Sequence, residues 1–223
     1  MLSPILTEKD CRLQISFLES IGSTQIYLKE LLRENKITSP CAVVAQQQTN
    51  GLGSRGNAWH GIEGNLFLSF AYPRCMMPQD LKIESSSIYF AYLLKETLAE
   101  AGSKVWLKWP NDFYLGELKM GGVITNVVQE NLLCGIGLNL QSAPEGFAKL
   151  DIEIQKENLL ENYFAKVEKF ISWKQVFSNY ELEFSRNQNF FTHGNGTKIP
   201  LKDVSLQSDG SIISNGERIF SLR

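Results

Sequence analysis

The segment Lys108-Trp109-Pro110-Asn111-Asp112 sets a cation, an aromatic face, a rigid turn and two polar groups side by side at the end of an apolar, strand-like run. Loops at strand ends are where a rigid scaffold presents reactive groups, although a tight turn with Trp109 in the core would use the same residues without chemistry. Lys119-Met120-Gly121-Gly122-Val123 adds a second lysine. Its adjacent glycines let a ligand approach the backbone while the ammonium supplies a point charge; a hairpin edge is the plainer account. The third segment runs from Gln48 to Trp59, and its Gly51, Gly53 and Gly56 satisfy the G-x-G-x-x-G spacing of dinucleotide folds. Those folds need a strand that enters a helix, with an acidic ribose ligand about twenty residues on. Here the glycines lead to Trp59 and another apolar run. Taken alone, the triplet fits a plain flexible loop as well as a loop whose backbone N–H groups, with Arg55, face a phosphate.

These segments need elements to hold them. Leu13 to Leu18 reads as a strand, and Gly22-Ser23-Thr24 supplies a turn and an N-cap for a helix with Tyr27, Leu28, Leu31 and Leu32 on one face. Ala42 to Ala45 reads as a buried strand, residues 46–64 as a polar, glycine-rich loop, and Asn65 to Tyr72 as the next strand. A long helix is expected over Leu81 to Ala101, ended by Gly102. Three strands follow, over Lys104 to Trp109, Gly122 to Val128 and Leu132 to Leu140, with Pro110-Asn111-Asp112 as a turn. Two helical patterns come next, near Asn158 to Phe170 and Lys174 to Phe184. The last forty or so residues change to short runs separated by Gly194, Gly196, Asp209-Gly210 and Asn215-Gly216, the pattern of a small separate β domain. The expected class is α+β, with a catalytic domain over 1–184 and a small β domain over 185–223.

Composition narrows the function classes. With 24 acidic and 22 basic residues in 223, the chain carries a formal charge of -2, giving no global attraction to DNA or to an anionic membrane. Cys11, Cys41, Cys75 and Cys134 form no C-x-x-C pair and have no histidine cluster nearby, against a zinc site or a disulfide framework. The charged N-terminal stretch around Glu8 to Arg12 does not read as a signal peptide, and no run approaches membrane-spanning length, so the reading places the protein in the cytoplasm, off the membrane.

Taken together, the segments resemble the biotin protein ligases from about Phe17 to Arg223. The matching pieces are Gly22-Ser23-Thr24, Gln48-Thr49-Asn50-Gly51 through Arg55-Gly56 and Trp59, Asn65-Leu66, Lys108 to Asp112, Lys119 with Gly121 and Gly122, Gly135-x-Gly137-x-Asn139, and Gly216-Glu217. The resemblance implies a mixed sheet with helices, similar to class II aminoacyl-tRNA synthetases, followed by a small SH3-like barrel. It implies an ATP-dependent ligase that makes biotinyl-5'-AMP and passes biotin to a lysine of a biotin carboxyl carrier protein, an acetyl-CoA carboxylase subunit, or of a related biotin-dependent carboxylase. By the same resemblance Ser23, Thr24 and Gln48 bind the ureido end of biotin, with Gly51, Leu52 and Gly122 lining its pocket. Arg55, Trp59, Asn111 and Asn139 lie on the nucleotide side. Lys119 meets both the biotin carboxylate and the α-phosphate, and is the catalytic residue with Arg55. Mg²⁺ is the implied cofactor. Asp112 is left open between capping the turn, binding metal and orienting Lys119.

One departure stands out. The family's glycine-rich loop is usually studded with arginines, whereas Leu52, Ser54 and Asn57 occupy three of those places and Arg55 remains. Looser retention of the adenylate than in arginine-rich relatives is the expected result, to be read as the release rate of biotinyl-adenylate. Members that also repress transcription carry a helix-turn-helix domain first, and only about twenty residues precede Gly22, so DNA binding is not expected. Lipoate or octanoate transfer and a non-catalytic biotin-binding scaffold are the competing functions. Exposed sheet edges leave a homodimer open.

Overall fold

The computed structural model describes residues 13–53, 57–194 and 197–221. Strand β1 (Gln14–Ile21) leads through Gly22 into helix α1 (Thr24–Arg33), whose N-cap Ser23 accepts the Ile26 N–H at 3.4 Å and whose Leu28 and Leu32 are buried. β2 (Cys41–Leu52) pairs with β1 in parallel, and β3 (Ala58–Gly61) folds back on the far half of β2. β4 (Leu66–Pro73), β5 (Trp106–Lys108), β6 (Asp112–Leu115), β7 (Leu118–Val128) and β8 (Asn131–Leu138) complete an eight-stranded sheet in the order β1-β2-β4-β8-β7-β6-β5, with β3 beside β2. All pairings beyond β1–β2 are antiparallel.

Alternation along the strands divides the core between the two faces. Val43, Ala71 and Leu133 meet Leu28 and Leu32 of α1 on one face. On the other, Val44, Leu68 and Phe70 meet α2 (Ser86–Glu100) and α3 (Lys156–Val167), with Phe70 edge-on to Phe90, Tyr163 and Phe164. α4 (Trp173–Glu183) covers the outer side of α2, so α2 is buried almost all round. The chain leaves α2 at Gly102, whose φ of 99° is the left-handed conformation that closes a helix at little cost for glycine. No helix among the described residues is long and apolar enough to cross a membrane.

The C-terminal β structure is a two-stranded sheet, β9 (Phe191–Gly194) with β10 (Thr197–Pro200), and a three-stranded one, β11 (Ser205–Leu206), β12 (Ile212–Ser214) and β13 (Glu217–Ile219). Its turn at 207–211 is anchored to the rest of the molecule. The indole N–H groups of Trp109 and Trp173 donate to the carbonyls of Gly210 and Ser208, both at 2.8 Å, and Ser85 Oγ donates to the Asp209 carbonyl at 2.7 Å. Burial alone would raise the Asp209 pKa, but hydrogen bonds from Ser211 and Arg218 to its carboxylate outweigh that and hold it below the usual range.

Three expectations change in detail. Residues 46–52, expected in a loop, continue β2, because their peptide groups hydrogen-bond across the strand ends although the side chains are polar. Asp112, expected in a turn, opens β6, which was not foreseen; the register sets it directly opposite Lys108. The helix expected from Leu81 begins at Ser86, preceded by a single 3₁₀ turn over Ile83–Ser85. The thiols of Cys41 and Cys134 are buried and free, with burial pushing the Cys41 pKa up to about 12, whereas Cys75 is exposed and Cys11 lies outside the described residues.

Candidate active site

The sheet has a hollow on the face that carries α1, and missing side chains create it. In register, β8 Gly135 lies against Ser69 of β4, and β8 Gly137 pairs with Gly122 of β7, so little side-chain bulk stands on this part of the surface. α1 covers one end of it, with Thr24 and Gln25 turned inward, and Leu52 and Trp59 from the β2–β3 hairpin form the opposite wall. A methyl group on Gly137 would come within 2.6 Å of the Trp59 ring, so the indole rests where only glycine allows it. Within this pocket the structure brings together Ser23, Thr24, Gln48, Leu52, Trp59, Asn111, Asp112, Lys119 and Gly122, drawn from five separate elements and the turns beside them. Gly51 stands just behind: a Cβ there would meet the Trp59 carbonyl at 2.7 Å and Gln48 Nε2 at 2.9 Å, so its role is to let β3 close on β2.

The inner end of the pocket is a ring of hydrogen-bonding groups. The Thr24 N–H donates to Gln48 Oε1 at 2.8 Å, which fixes the Gln48 amide, and Thr24 Oγ1 lies 3.0 Å from the same oxygen and 2.9 Å from Ser69 Oγ. Ser23 uses an oxygen lone pair to cap α1, which leaves its single hydroxyl proton to donate. Capping and ligand binding are therefore compatible on that hydroxyl. An uncharged ring of this kind suits a planar, neutral group that offers both N–H and C=O, and it suits a phosphate or carboxylate poorly.

The outer end is charged. Lys119 Nζ lies 2.6 Å from Asp112 Oδ1, and Lys108 Nζ, buried behind, lies 3.7 Å from Asp112 Oδ2 and 5.5 Å from the centre of the Tyr114 ring. Asp112 thus holds Lys119 at the pocket mouth, which fits the orienting role among those left open. Gly122 keeps the space beside this pair clear, since a Cβ would stand 3.1 Å from Asp112 Oδ1. Among the described residues no three His, Cys, Asp or Glu side chains converge as a metal-binding group. A divalent cation would find one carboxylate here, the coordination Mg²⁺ uses when substrate phosphates and water supply the rest.

Two more clefts reach Lys119. One is walled by Gly53, Asn57, Ala58, Trp59, Asn139, Pro144 and Phe147, so Trp59 separates it from the first pocket. The other opens between Asn111, Asp112 and the C-terminal residues Phe191, Thr192 and His193. Asn111 therefore borders the first pocket and the third cleft, its amide donating to the Val123 carbonyl. Asn139 borders the second cleft and ties its rim, accepting from Asn65 Nδ2 at 3.5 Å and donating to the Ala148 carbonyl at 3.1 Å. The rim itself was missed in the sequence: the available signal was an aromatic residue, Phe147, beside Gly146 in an otherwise polar stretch, and the structure leaves it exposed. Gln25 and Ser69 were missed as well. Arg55, with Ser54 and Gly56, lies outside the described residues, and Leu52 and Asn57 bring no charge to the neighbouring positions.

The geometry is thus a neutral polar pocket with a lysine at its mouth and an adjoining cleft with aromatic walls. The chain belongs to the biotin/lipoate A/B protein ligase family, whose pattern matches residues 17–141. It is similar to the biotin acetyl coenzyme A carboxylase synthetase of Helicobacter pylori, solved with bound biotinylated ATP, at 39% identity and a TM-score of 0.90 over 94% of this chain and 100% of that one. The biotin protein ligase of Aquifex aeolicus, solved with biotin and ATP, shares the fold at a TM-score of 0.74 and 23% identity, covering 94% of this chain and 96% of that one. In sequence the chain is 30% identical to the bifunctional ligase/repressor BirA of Escherichia coli over 133 residues, 56% of this chain, and spans 40% of the length of that relative.

Proposed function

We propose that this protein activates biotin with ATP to biotinyl-5'-AMP and transfers the biotinyl group to a lysine of a biotin carboxyl carrier domain of acetyl-CoA carboxylase or a related carboxylase. The observation that carries the reading is Lys119, held by Asp112 where the neutral pocket meets the cleft walled by Trp59 and Phe147. The ureido ring of biotin matches the inner ring of hydroxyls and amides at Ser23, Thr24 and Gln48, and the apolar part of the molecule runs past Leu52 and Trp59 toward the mouth. That places the carboxylate at Lys119 and the adenosine across Trp59, between Phe147, Pro144 and Asn139. The likeness to the Helicobacter pylori synthetase with its bound biotinylated ATP supports biotin and ATP as the two occupants.

A carboxylate oxygen attacks the α-phosphorus, the bond to the bridging oxygen breaks and pyrophosphate leaves, giving a mixed anhydride. Two anionic groups must meet for this step, and the Lys119 ammonium shields one from the other. When the ligand carboxylate arrives, Lys119 exchanges one carboxylate partner for another, so no bare cation has to be created. Mg²⁺ brought in with ATP would offset the charge of its phosphates, with Asp112 the carboxylate here that could help to hold it. The neutral amine of the acceptor lysine then attacks the acyl carbon, the amide forms, AMP departs and the amine loses its extra proton. The resemblance further assigns Arg55 to the phosphates.

We also propose division into a catalytic part, 1–184, and a small β part, 185–223, on the change from one mixed sheet to short strands. A form that works without binding DNA accords with the charge balance, and a cytoplasmic location is proposed with it. The test is mass spectrometry of an apo carrier domain incubated with this protein, ATP, Mg²⁺ and biotin. A biotin-sized mass increase on one lysine is expected, together with biotin-dependent exchange of pyrophosphate into ATP. Octanoylation or lipoylation instead of biotinylation, or no exchange by folded protein, overturns the reading.

A further inference from the structure

We infer that Gln25 is a positioning residue that sets the hydrogen-bond polarity of the inner pocket wall, making Ser69 an acceptor there and so selecting ligands that present N–H. The inference rests on the biotin reading and deepens it.

Gln25 is 6% exposed, lies one residue into α1 beyond Thr24, and has both halves of its amide engaged. Its Nε2 donates to Asn126 Oδ1 at 3.2 Å, and its Oε1 accepts from Ser69 Oγ at 3.0 Å. Gly135 makes room for that arrangement, because a Cβ there would collide with Gln25 Oε1. Ser69, fully buried on β4, has one hydroxyl proton, and Gln25 takes it. Toward Thr24, 2.9 Å away, Ser69 can then only accept. Thr24 can donate its single proton to Ser69 or to Gln48 Oε1. Ser69, a hydroxyl that would otherwise serve as donor or acceptor at will, is fixed as an acceptor. With a donor in place of Gln25 Oε1, the Ser69 proton would be free for Thr24 or for the ligand. An obligate acceptor facing a ligand oxygen leaves both lone pairs unpaired and buried, which is the kind of mismatch that gives strong discrimination between near-isosteres.

The discriminating substrates are biotin and its two cyclic-carbamate analogues, in each of which one ureido N–H is replaced by a ring oxygen. Pyrophosphate exchange gives kcat/KM for each. Wild-type protein is expected to prefer biotin over at least one analogue by about 100-fold. Gln25→Leu, which fills the same volume but accepts no proton, is expected to narrow that ratio to about 10-fold, since Ser69 can now donate. Gln25→Glu still accepts from Ser69 and is expected to retain the wild-type ratio, a rescue that a purely structural role for Gln25 does not require. A wild-type enzyme indifferent to both analogues, a Gln25→Leu variant with the full ratio, or a Gln25→Glu variant as permissive as Gln25→Leu overturns the inference. Should Gln25→Leu fail to fold, Asn126→Leu at the exposed end of the chain releases the Gln25 amide without touching the pocket; a drop of about 3-fold in the ratio is expected, and no change overturns the inference. Absence of exchange with biotin by the folded wild type sinks the biotin reading itself, whereas exchange with unaltered ratios sinks only the role of Gln25.

Discussion

Lys119→Ala is expected to lower biotin-dependent pyrophosphate exchange by about a thousand-fold, with the fold intact. Removing one preorganised donor from a site of developing charge costs about 100- to 1,000-fold, and in the proposed reaction Lys119 stands between two anions that must touch, which puts it at the upper end. Its side chain lies at the pocket mouth with Asp112 as its ion-pair partner, and Asp112 keeps Lys108 3.7 Å away as a second counterion, so the substitution leaves no isolated carboxylate. Melting temperature and circular dichroism should therefore match the wild type. Exchange within about ten-fold of wild type would show that the phosphate is stabilised from elsewhere, and the mechanism drawn around Lys119 would fall.

At the other end of the pocket, Thr24→Val keeps shape but removes the hydroxyl that lies between Gln48 Oε1 and Ser69 Oγ. A buried hydrogen-bonding group left without its partner costs about 1–3 kcal/mol, so the KM for biotin should rise about 30-fold. The KM for ATP should hardly move, because Thr24 does not border the cleft behind Trp59. Initial-rate kinetics varying each substrate separately give the answer. Equal rises in both constants would mean that the variant has disturbed the whole sheet face and that Thr24 does not belong to a dedicated polar end.

The elements with strong local signals were legible from the residues alone. Ser23 as a cap, the Leu28/Leu32 face of α1 and the stop at Gly102 follow from side-chain chemistry that acts within one turn. What escaped depends on partners distant in sequence. β6 is four residues long and begins with Asp112, so nothing in its composition separates it from the turn before it; pairing with both β5 and β7 makes it a strand. The polar half of β2 lacks apolar alternation because its side chains lean on a ligand pocket and on solvent rather than on the core. Of the motifs quoted for the family resemblance, those around Ser23, Gln48, Asn111, Lys119 and Gly137 converge, whereas Gly216-Glu217 lies in the C-terminal β structure and Arg55-Gly56 outside the described residues; the contacts of Asp112 with Lys119 and of Gln25 with Ser69 cross between elements, and no local pattern records them. Phe147 was hidden for a different reason: Asn65 Oδ1, accepting the N–H groups of Leu140, Gln141 and Ser142, helps shape the loop that presents it.

Trp59 is a party wall. In this conformation the first pocket has a free volume of only about 50 Å³, far below the roughly 300 Å³ at which small-molecule sites begin, and the buried indole N–H has no hydrogen-bond partner among the described residues. A larger occupant needs a wall to move, and if that wall is the indole, the displaced ring also re-forms the boundary of the cleft on its other side. Occupants of the two spaces would then share one mechanical coordinate, and their affinities would be thermodynamically linked. Whatever factor the first ligand applies to the binding of the second, the second must apply to the first.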